Sequence, residues 1–495
     1  MPSLPHEPEP RSCPKYLKLA KSFERQMRVG VLHVGDRLPS VRDLRREHRV
    51  SVATALGCYA WLEREGLVRA RPRSGYYVSR MPAADGPAPR VVVGSRGPVP
   101  VRLEAPELAG PAGPRGEAIQ LGPAVVGPAL LPMSRLNRSL RLALSAFADN
   151  AVRFEDPRGN VRLRRQLARL VFRQGGSCSP DDILVTSGET EALSLCVRTL
   201  TRPGDVVAVE SPGCYAFLQA LESFRLRAVE VPHLRGRGID LDLLEAAVRR
   251  HRVKAVLLNI TCHNALGDCA SDDAKAEIVA FATRHELPII EGDAFGDLVW
   301  SGERPRTLQS FDRAGLVVQC SSLADYLAPG FNLGWAAGSR WQPDLRRLKS
   351  HTNLAGARLP QLALAEFLES GAFDRHLRRL RVALWRSVES ARQEILASFP
   401  AGTRVSRPEG GFVLWVELPE PHGGVELQRR AAAHGVHILP GSLFSPSGQY
   451  AHCIRIACGH AFEVLRPALR TLARLLAEDT ATRRGSRGPL VRSAP

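Results

Sequence analysis

Residues 317–335 read VVQCSSLADYLAPGFNLGW, and this segment decides how the larger part of the chain folds. Val317 and Val318 predict a buried strand, and the serines that follow predict the turn that ends it. A loop containing Pro329 and Gly330 then leads into a second apolar segment that ends at Trp335. The segment therefore predicts a strand of a central sheet and a polar loop at its end.

Strands and helices alternate on both sides of this segment, from residue 119 onward. Most predicted strands are short apolar runs followed by helical stretches, which indicates a mostly parallel sheet covered on both faces. These strands span residues 183–186, 206–209, 228–231, 255–259, 287–291 and 316–319. After a long helical region, residues 411–418, 437–440 and 453–457 predict the strands of a smaller lobe.

The first eighty residues have a different pattern. Apolar residues at helical spacing predict helices over residues 16–27, 41–48 and from about 51 to 65, with Ser40 as an N-cap and Gly66 as a stop. Residues 67–70 and 76–78 predict two short strands joined by a basic turn. Two helices separated by a tight turn and followed by a small basic hairpin form a winged helix-turn-helix.

The stretches GDRLPSVRDL, LEREGLV and RPRSGYYV resemble the DNA-binding domain of the GntR family. This resemblance implies binding to double-stranded DNA. Val52 departs from it, because many GntR members carry an arginine there. The residues expected to contact phosphates or base edges are Arg37, Ser40, Arg42, Ser51, Thr54, Arg71, Arg73, Ser74 and Gly75.

The opening segment resembles the lysine-bearing segment of the MocR-type regulators, a GntR branch whose large domain is similar to a fold-type I aminotransferase. Asp325 stands where that family has the lysine that forms a Schiff base with pyridoxal phosphate. Asn332 stands where it has the arginine that pairs with the cofactor phosphate. The resemblance therefore implies that the segment keeps the family framework without its Schiff-base chemistry.

The expected architecture is multidomain: an N-terminal winged helix-turn-helix and an α/β fold-type I aminotransferase-like domain. The latter has a large, mostly parallel-sheet subdomain and a smaller α+β C-terminal lobe. We expect the DNA-binding domain over residues 1–80, a Pro/Gly/Ala-rich linker over 81–117, the aminotransferase-like domain over 118–480 and a basic disordered tail over 481–495.

Other cofactor positions of the family are only partly kept. Phe295 has no hydroxyl to offer the phenolic oxygen, and the ring-stacking position falls on Cys214 or on the adjacent Tyr215. The candidate residues for a cofactor or other ligand are Glu189, Thr190, Asn264, Asp293, Ser322 and Arg455. The resemblance implies that Asp293 faces the pyridine nitrogen and that Arg455 grips a substrate carboxylate. Acidic Glu189 and Asp325 disfavour even non-covalent binding of the phosphate.

We therefore expect a dimeric transcriptional regulator and no catalysis. The large domain either binds another small, carboxylate-bearing effector or serves only as a dimerisation scaffold. The alternative is a pyridoxal-phosphate-binding regulator, or an active aminotransferase, that uses a different lysine. Outside the N-terminal segment the candidate lysines are Lys254, Lys275 and Lys349.

Composition agrees with a DNA-binding protein. The formal net charge is +18 and the pI about 10.1, which favours a polyanionic partner. No apolar run approaches the length of a membrane span, and the N-terminus lacks the apolar core of a signal peptide. The ten cysteines show no metal-binding spacing. We expect a bacterial cytoplasmic protein that associates with the nucleoid when bound to DNA, without a metal site.

Overall fold

The computed structural model describes residues 14–28, 32–33, 35–64, 66–71, 74–79, 87–92, 97–103, 119–146, 153–300, 303–338 and 340–486. The chain divides into two compact units, Met1–Gly86 and Pro87–Pro495. Arg73, a predicted DNA contact, lies outside the described residues, as do residues 487–495 of the predicted tail. Across the described residues, no helix is both long and apolar enough to cross a bilayer.

Three helices and an antiparallel hairpin form the first unit: α1 Lys15–Arg28, α2 Val41–His48, α3 Val52–Arg64, β1 Val68–Arg71 and β2 Gly75–Val78. Helix α2 begins where the sequence predicts, because the Ser40 hydroxyl accepts the backbone N–H of Asp43 at 3.1 Å. The ring of Tyr59 on α3 stacks on Tyr76 of β2, with centroids 4.2 Å apart. This contact fixes the hairpin against the helices.

The second unit begins with helices and strands that alternate along the chain. They are β3 Val99–Pro100, β4 Ile119–Gln120, α4 Met133–Ala146, α5 Val161–Arg173, β5 Ile183–Ser187, α6 Gly188–Leu200, β6 Val206–Ser211, α7 Tyr215–Ser223, β7 Arg227–Leu234, β8 Gly238–Ile239, α8 Leu241–His251, β9 Ala255–Leu258, α9 Asp272–Arg284, β10 Ile289–Gly292, β11 Val317–Ser322 and β12 Leu333–Ala337.

Nine strands of the described chain form one sheet, in the order β3-β7-β6-β9-β10-β11-β12-β5, with β8 paired to β7. Strands β7, β6, β9, β10 and β11 are parallel neighbours. Every residue of β9, β10 and β11 is buried, as expected for strands covered on both faces. Strand β12 runs antiparallel to both β11 and β5. The six predicted strands are present, and β12 forms from the segment for which the sequence predicts only an apolar run.

The remaining elements build the smaller lobe and the helices beside it: α10 Gln342–Thr352, α11 Arg358–Glu369, α12 Ala372–Ser398, β13 Arg404–Val405, β14 Val413–Glu417, α13 Gly424–Ala433, β15 Val436–His437, β16 Leu439–Pro440, β17 Cys453–Ala457 and α14 Phe462–Ser486. Strands β13, β14, β17 and β16 form an antiparallel sheet, and β15 pairs with β4. Buried apolar side chains of α12 and α14, among them Leu384 and Leu472, share one core with this lobe.

Part of the predicted linker belongs to the second unit, so the predicted domain start at residue 118 is wrong. The amide of Arg90 donates to Glu417 at 2.7 Å, and Val101 is buried. Strand β3 lies at the edge of the large sheet, where the missing N–H of Pro100 leaves no ladder bond unmade. The sequence of residues 92–105 is compatible with one short strand inside the predicted linker, and the structure forms this strand at the edge of the sheet.

The predicted tail also begins too early. Helix α14 runs to Ser486, so residues 481–486 are helical, contrary to the expected boundary at 480. The segment Ala481-Thr482-Arg483-Arg484 contains alanine and arginine, which favour helix, and no proline interrupts it. The basic character of this segment therefore does not end the helix.

The contact between β12 and the start of α6 is tight enough to test. A Cβ at Gly334 would lie 2.5 Å from the carbonyl carbon of Gly188. We expect Gly334→Ala to lower the free energy of unfolding by about 1–3 kcal/mol, because the backbone must shift. Gly330→Ala is the matched control, since a Cβ there meets no atom within 4 Å. Denaturant titration measures both, and equal stability of the two variants would contradict this packing.

Candidate functional site

The first unit places several predicted DNA contacts at the starts of its helices. Ser40 uses its hydroxyl in the α2 cap and also donates to the Asp43 carboxylate at 2.6 Å. Arg42, two residues later, is exposed. Ser51 caps α3 in the same way, accepting the amide of Thr54 at 3.1 Å, and the two hydroxyl oxygens are 2.8 Å apart. The hydroxyls of Ser51 and Thr54 thus bond to each other.

The wing brings three further predicted contacts together. The guanidinium of Arg71 lies over the ring of Tyr77, 4.4 Å from its centroid, and Ser74 Oγ is 2.7 Å from the Tyr77 hydroxyl. Gly75 has φ +108°, which requires glycine, and its α-carbon faces the side chain of Arg37. Arg37 therefore lies beside the wing, as a contact to the same DNA segment would need.

In the second unit, Asp325 lies in the turn between β11 and β12. Its carbonyl accepts the amide of Val126 at 2.7 Å, and burial raises the pKa of its carboxyl to about 6, while Arg455 acts in the opposite direction. A carboxyl group cannot form an imine with an aldehyde. At this position the chain therefore offers an acid, and no amine.

The start of α6 adds a second acid. Burial, and then the charges of Asp325 and Asp293, raise the pKa of Glu189 to about 8, whereas the neighbouring Thr190 is exposed. Asn332, with φ 44°, points its side-chain oxygen at the α-carbon of Gly188 in the first turn of α6. Carboxyl and amide oxygens therefore surround a helix start that would otherwise favour a phosphate.

Asp293 follows β10, and one of its two carboxylate oxygens accepts two hydrogen bonds. Its Oδ2 accepts from the guanidinium of Arg304 and from Gln319 Nε2, the latter at 2.9 Å. Its buried Oδ1 has no hydrogen-bond partner among the described residues. Burial raises the pKa of Asp293 more than Arg304 lowers it. Arg304 was missed in the sequence, since nothing in its neighbourhood marks it as a partner of Asp293.

Arg455 and Asn264 are brought together across the junction of the large sheet and the smaller lobe. The guanidinium of Arg455 donates to Asn264 Oδ1 at 2.8 Å and to the carbonyl of Gly122. Burial lowers the pKa of Arg455 to about 10, and its Nε has no partner among the described residues. A buried guanidinium with a spare donor is suited to a carboxylate.

Ser322 does not join this set. Its hydroxyl donates to the carbonyl of Leu333 at 3.0 Å and accepts the amide of Ala324 at 2.9 Å. These bonds close the turn between β11 and β12. Its place in the family motif therefore coincides here with a structural role in the hairpin.

Two of the three lysines considered as substitutes are held by hydrogen bonds, and the third is exposed. Lys349 Nζ is 3.0 and 3.2 Å from the two carboxylate oxygens of Glu191, and Lys275 Nζ donates to Thr261 and to the carbonyl of Arg306, each at 2.6 Å. Lys254 is exposed, ahead of β9. Phe295 packs on Phe412 and has no hydroxyl. The residues at these positions do not fit pyridoxal phosphate bound as a Schiff base.

A second buried group of charged side chains was also missed. His233 of β7 lies between two carboxylates, with Nδ1 3.2 Å from Glu210 Oε2 and Nε2 3.0 Å from Asp268 Oδ2. His263 Nε2 is 3.5 Å from the same Glu210 oxygen. Glu210, His233 and His263 are thus close enough to share a metal ion.

The hydrogen bonds of His263 argue against a metal. Its Nδ1 accepts the amides of Ala265 and Leu266 at 3.1 and 3.0 Å, so the ring proton of the neutral form is on Nε2. A metal-bound imidazole instead donates its other N–H to an acceptor. Burial lowers the pKa of His263 to about 4, which keeps the ring neutral. We therefore interpret the group as a hydrogen-bonded charge cluster that joins β6 and β7 to the loop before α9.

Comparisons with known proteins agree with both units. Residues 15–78 match the family of bacterial regulatory proteins, gntR family, and residues 140–472 match aminotransferase class I and II. The chain is 35% identical over 465 residues to the uncharacterized HTH-type transcriptional regulator YdcR of Escherichia coli (strain K12), covering 94% of this chain and 99% of that protein. It is 33% identical over 470 residues to YjiR of the same organism, covering 92% and 98%.

Among solved structures, a kynurenine aminotransferase of Pyrococcus horikoshii superposes with a TM-score of 0.69. The identity is 25%, and the match covers 74% of this chain and 92% of that one. The predicted multidomain fold, a winged helix-turn-helix with a fold-type I aminotransferase domain, is confirmed. Aminotransferases of this fold depend on pyridoxal phosphate as a family.

The buried histidine cluster predicts a pH dependence of stability. Burial lowers the pKa of His233, but Asp268 and then Glu210 outweigh it and raise the pKa to about 10, from 6.5. A raised pKa adds stability that is complete below about 6.5 and is lost as pH rises toward about 10. We expect His233→Gln to cost roughly 3–5 kcal/mol at neutral pH and to remove this slope.

His263→Gln is the matched control, because His263 is neutral over the same range and the slope should survive its loss. The free energy of unfolding is measured by denaturant titration of the wild-type protein and both variants at several pH values. Equal slopes in wild-type and His233→Gln proteins would show that His233 is not charged in the folded state.

Proposed function

The chain belongs to the GntR family of HTH-type transcriptional regulators that carry an aminotransferase class I and II domain, and from this premise we propose that it acts as a DNA-binding dimer without Schiff-base chemistry. The first unit binds a double-stranded operator in the bacterial cytoplasm, at the nucleoid. The second unit pairs two copies of the chain. The observation that carries this proposal is a half-buried acid, Asp325, at the position where the family has its lysine.

The proposed loss of enzymatic function depends on all of the lysine amines together, and not on Asp325 alone. An aldehyde cofactor needs an uncommitted amine beside its ring. Asp325 supplies none, Lys349 is held by Glu191, and Lys275 is buried with hydrogen bonds to Thr261 and a backbone carbonyl. Asp293 keeps an oxygen that no described residue pairs with and that suits a ring nitrogen. The side-chain oxygens of Glu189 and Asn332, however, lie at the start of α6, where the family resemblance places the phosphate. Even non-covalent binding of pyridoxal phosphate is disfavoured.

A small carboxylate-bearing effector is the ligand that the Arg455 site favours. The buried Nε of Arg455 has no hydrogen-bond partner in the described part of the chain, and an unsatisfied buried donor costs free energy that a bound carboxylate would recover. The rival role is a dimerisation scaffold in which Arg455 and Asn264 only tie the lobe to the sheet. The Nε of Arg455 supports the effector, since a carboxylate could accept a hydrogen bond from it.

Dimerisation through the second unit is supported by large apolar side chains on its surface. Phe154 is 84% exposed and Leu354 53%. Arg358, at the start of α11, donates to the carbonyl of Phe154 at 3.3 Å, which places both side chains near one end of α11. On α4, which packs against α11, Leu142 and Leu144 are about half exposed. Apolar rings this exposed are typical of a surface that another molecule covers.

The missing amine predicts the outcome of a trapping experiment. Purified protein is mixed with pyridoxal phosphate, reduced with borohydride and analysed by peptide mass spectrometry, with absorption spectra recorded before reduction. We expect no stoichiometric adduct at Lys254, Lys275 or Lys349 and no imine band. An aminotransferase of the same fold, treated in parallel, controls for the chemistry. A stoichiometric adduct at one lysine would revive the alternative of a cofactor-binding regulator or an active enzyme.

The dimer has its own test. We expect Phe154→Asp to shift the protein toward monomer in sedimentation velocity, because a charge replaces the most exposed apolar ring. Affinity for a two-half-site duplex, obtained by selection from random DNA with the wild-type protein, should fall with it. Phe172→Asp, at a ring that is 74% exposed on α5, is the matched control. An unchanged oligomeric state in Phe154→Asp would show that the interface lies elsewhere.

A further inference from the structure

The solvent face of α3 is apolar over more than two turns. Val52 and Leu56 are 47% and 46% exposed, and Ala53 and Ala60 are exposed beside them. Positions 52, 56 and 60 are four residues apart and lie on one face of the helix. Side chains on the opposite face, such as Ala55, Tyr59 and Leu62, are buried in the core of the unit. The exposed face is thus separate from the face that folds the domain.

The polar side chains of this helix are occupied or distant. Ser51 and Thr54 bond to each other at the helix start. Glu63, near the other end, accepts the amide of Ala70 at 3.1 Å. Between Thr54 and Glu63, no described side chain on the exposed face carries a hydrogen-bonding group that could pair with a base edge. The usual polar readout of bases is therefore absent from the middle of this face.

The charge around this face indicates its occupant. Exposed arginines lie on the two elements that precede and follow α3 and contact it, at Arg42 and Arg45 on α2 and at Arg69 and Arg71 on β1. An apolar strip bordered by arginines suits a polyanion with apolar groups between its phosphates. In a helix-turn-helix the second helix enters the major groove with its first residues toward the bases. In the major groove, the apolar group that a base edge presents is the C5-methyl of thymine.

We infer that Val52 and Leu56, with Ala53 between them, recognise thymine methyl groups, so that this chain selects its operator by thymines in the major groove. The inference rests on the proposed DNA-binding function and specifies the chemistry of its recognition. It makes Val52 and Leu56 specificity-determining residues. Apolar contact distinguishes thymine from cytosine, which has no methyl group, while an arginine at such a position would select guanine.

Deoxyuridine tests this inference on the full-length protein. A duplex is selected from random DNA by the wild-type protein and then resynthesised with deoxyuridine at each thymidine in turn. Deoxyuridine keeps the O4 acceptor and lacks only the methyl group. We expect binding about four-fold weaker at each contacted position, the value of burying one methyl group. Fluorescence anisotropy at a fixed salt concentration gives the dissociation constants.

Two variants test which side chain contacts which thymine methyl group. Val52→Ala and Leu56→Ala should each bind the selected duplex more weakly and lose most of the response to deoxyuridine at one position. The loss of binding free energy on truncating a side chain and the loss on removing the methyl group that it contacts should therefore not add. Both side chains are exposed, so the fold should tolerate the changes. Val425→Ala, at a valine that is 53% exposed on α13, is the matched control and should leave every constant unchanged.

The outcomes separate this inference from the proposed function. A selected duplex whose affinity ignores deoxyuridine at all positions would overturn thymine recognition and leave DNA binding standing. Failure to select any duplex, together with no salt-dependent binding, would overturn both. If Val52→Ala and Leu56→Ala change the oligomeric state and leave DNA affinity intact, the face binds protein instead, and the inference is wrong.

Discussion

The close approach of two backbone segments, at Gly334 and Gly188, determines the geometry of the pocket in the second unit. Strand β12 is hydrogen-bonded to β11 on one side and to β5 on the other. With no side chain at Gly334, its α-carbon can pack against the first turn of α6. The turn that carries Asp325 is therefore held beside the helix start that carries Glu189. A bulkier residue at either glycine would separate the two acids.

In this arrangement the acidic side chains of the site differ in whether a basic group is paired with them. Asp293 is paired with Arg304, whereas Arg455 favours the charged form of Asp325, and Glu189 faces the acids Asp325 and Asp293. Burial raises the pKa of Asp325 to about 6 and that of Glu189 to about 8. The buried cluster around His233 is different, because each carboxylate there has an imidazole at hydrogen-bonding distance. Paired charges in the interior stabilise a fold, whereas unpaired ones are kept where a ligand can complete them.

The sequence predicts the elements better than the contacts between them. Short apolar runs such as 206–209 predict buried strands, because few other structures bury every residue of a run. The same rule does not identify β12, since Leu333-Gly334-Trp335 contains a glycine whose role depends on a neighbour far along the chain. The sequence is compatible with strand β3 but does not predict it firmly. A Pro-rich stretch predicts a linker unless a sheet edge is known to be available.

Site residues follow the same division. Resemblance to a family places Asp293, Asn264 and Arg455 in one pocket, and the structure brings Asn264 and Arg455 into contact. It cannot supply partners that are specific to this chain. Arg304 contacts Asp293 only because the fold brings them together, and His233 of β7 meets Asp268 of the loop before α9 in the same way. The exposed apolar face of α3 also escapes the sequence analysis, because apolar residues at helical spacing predict a helix without showing which of them stay exposed.

Trp335 gives the hairpin an optical property. Its indole is 1% exposed, follows Gly334 directly and has no hydrogen-bond partner for its N–H among the described residues. An indole in so dry a setting emits at shorter wavelength than one in water. Water that entered between β12 and α6 would therefore move its emission to longer wavelength. The chain thus carries an intrinsic fluorophore at the point where the backbone segments of Gly334 and Gly188 meet.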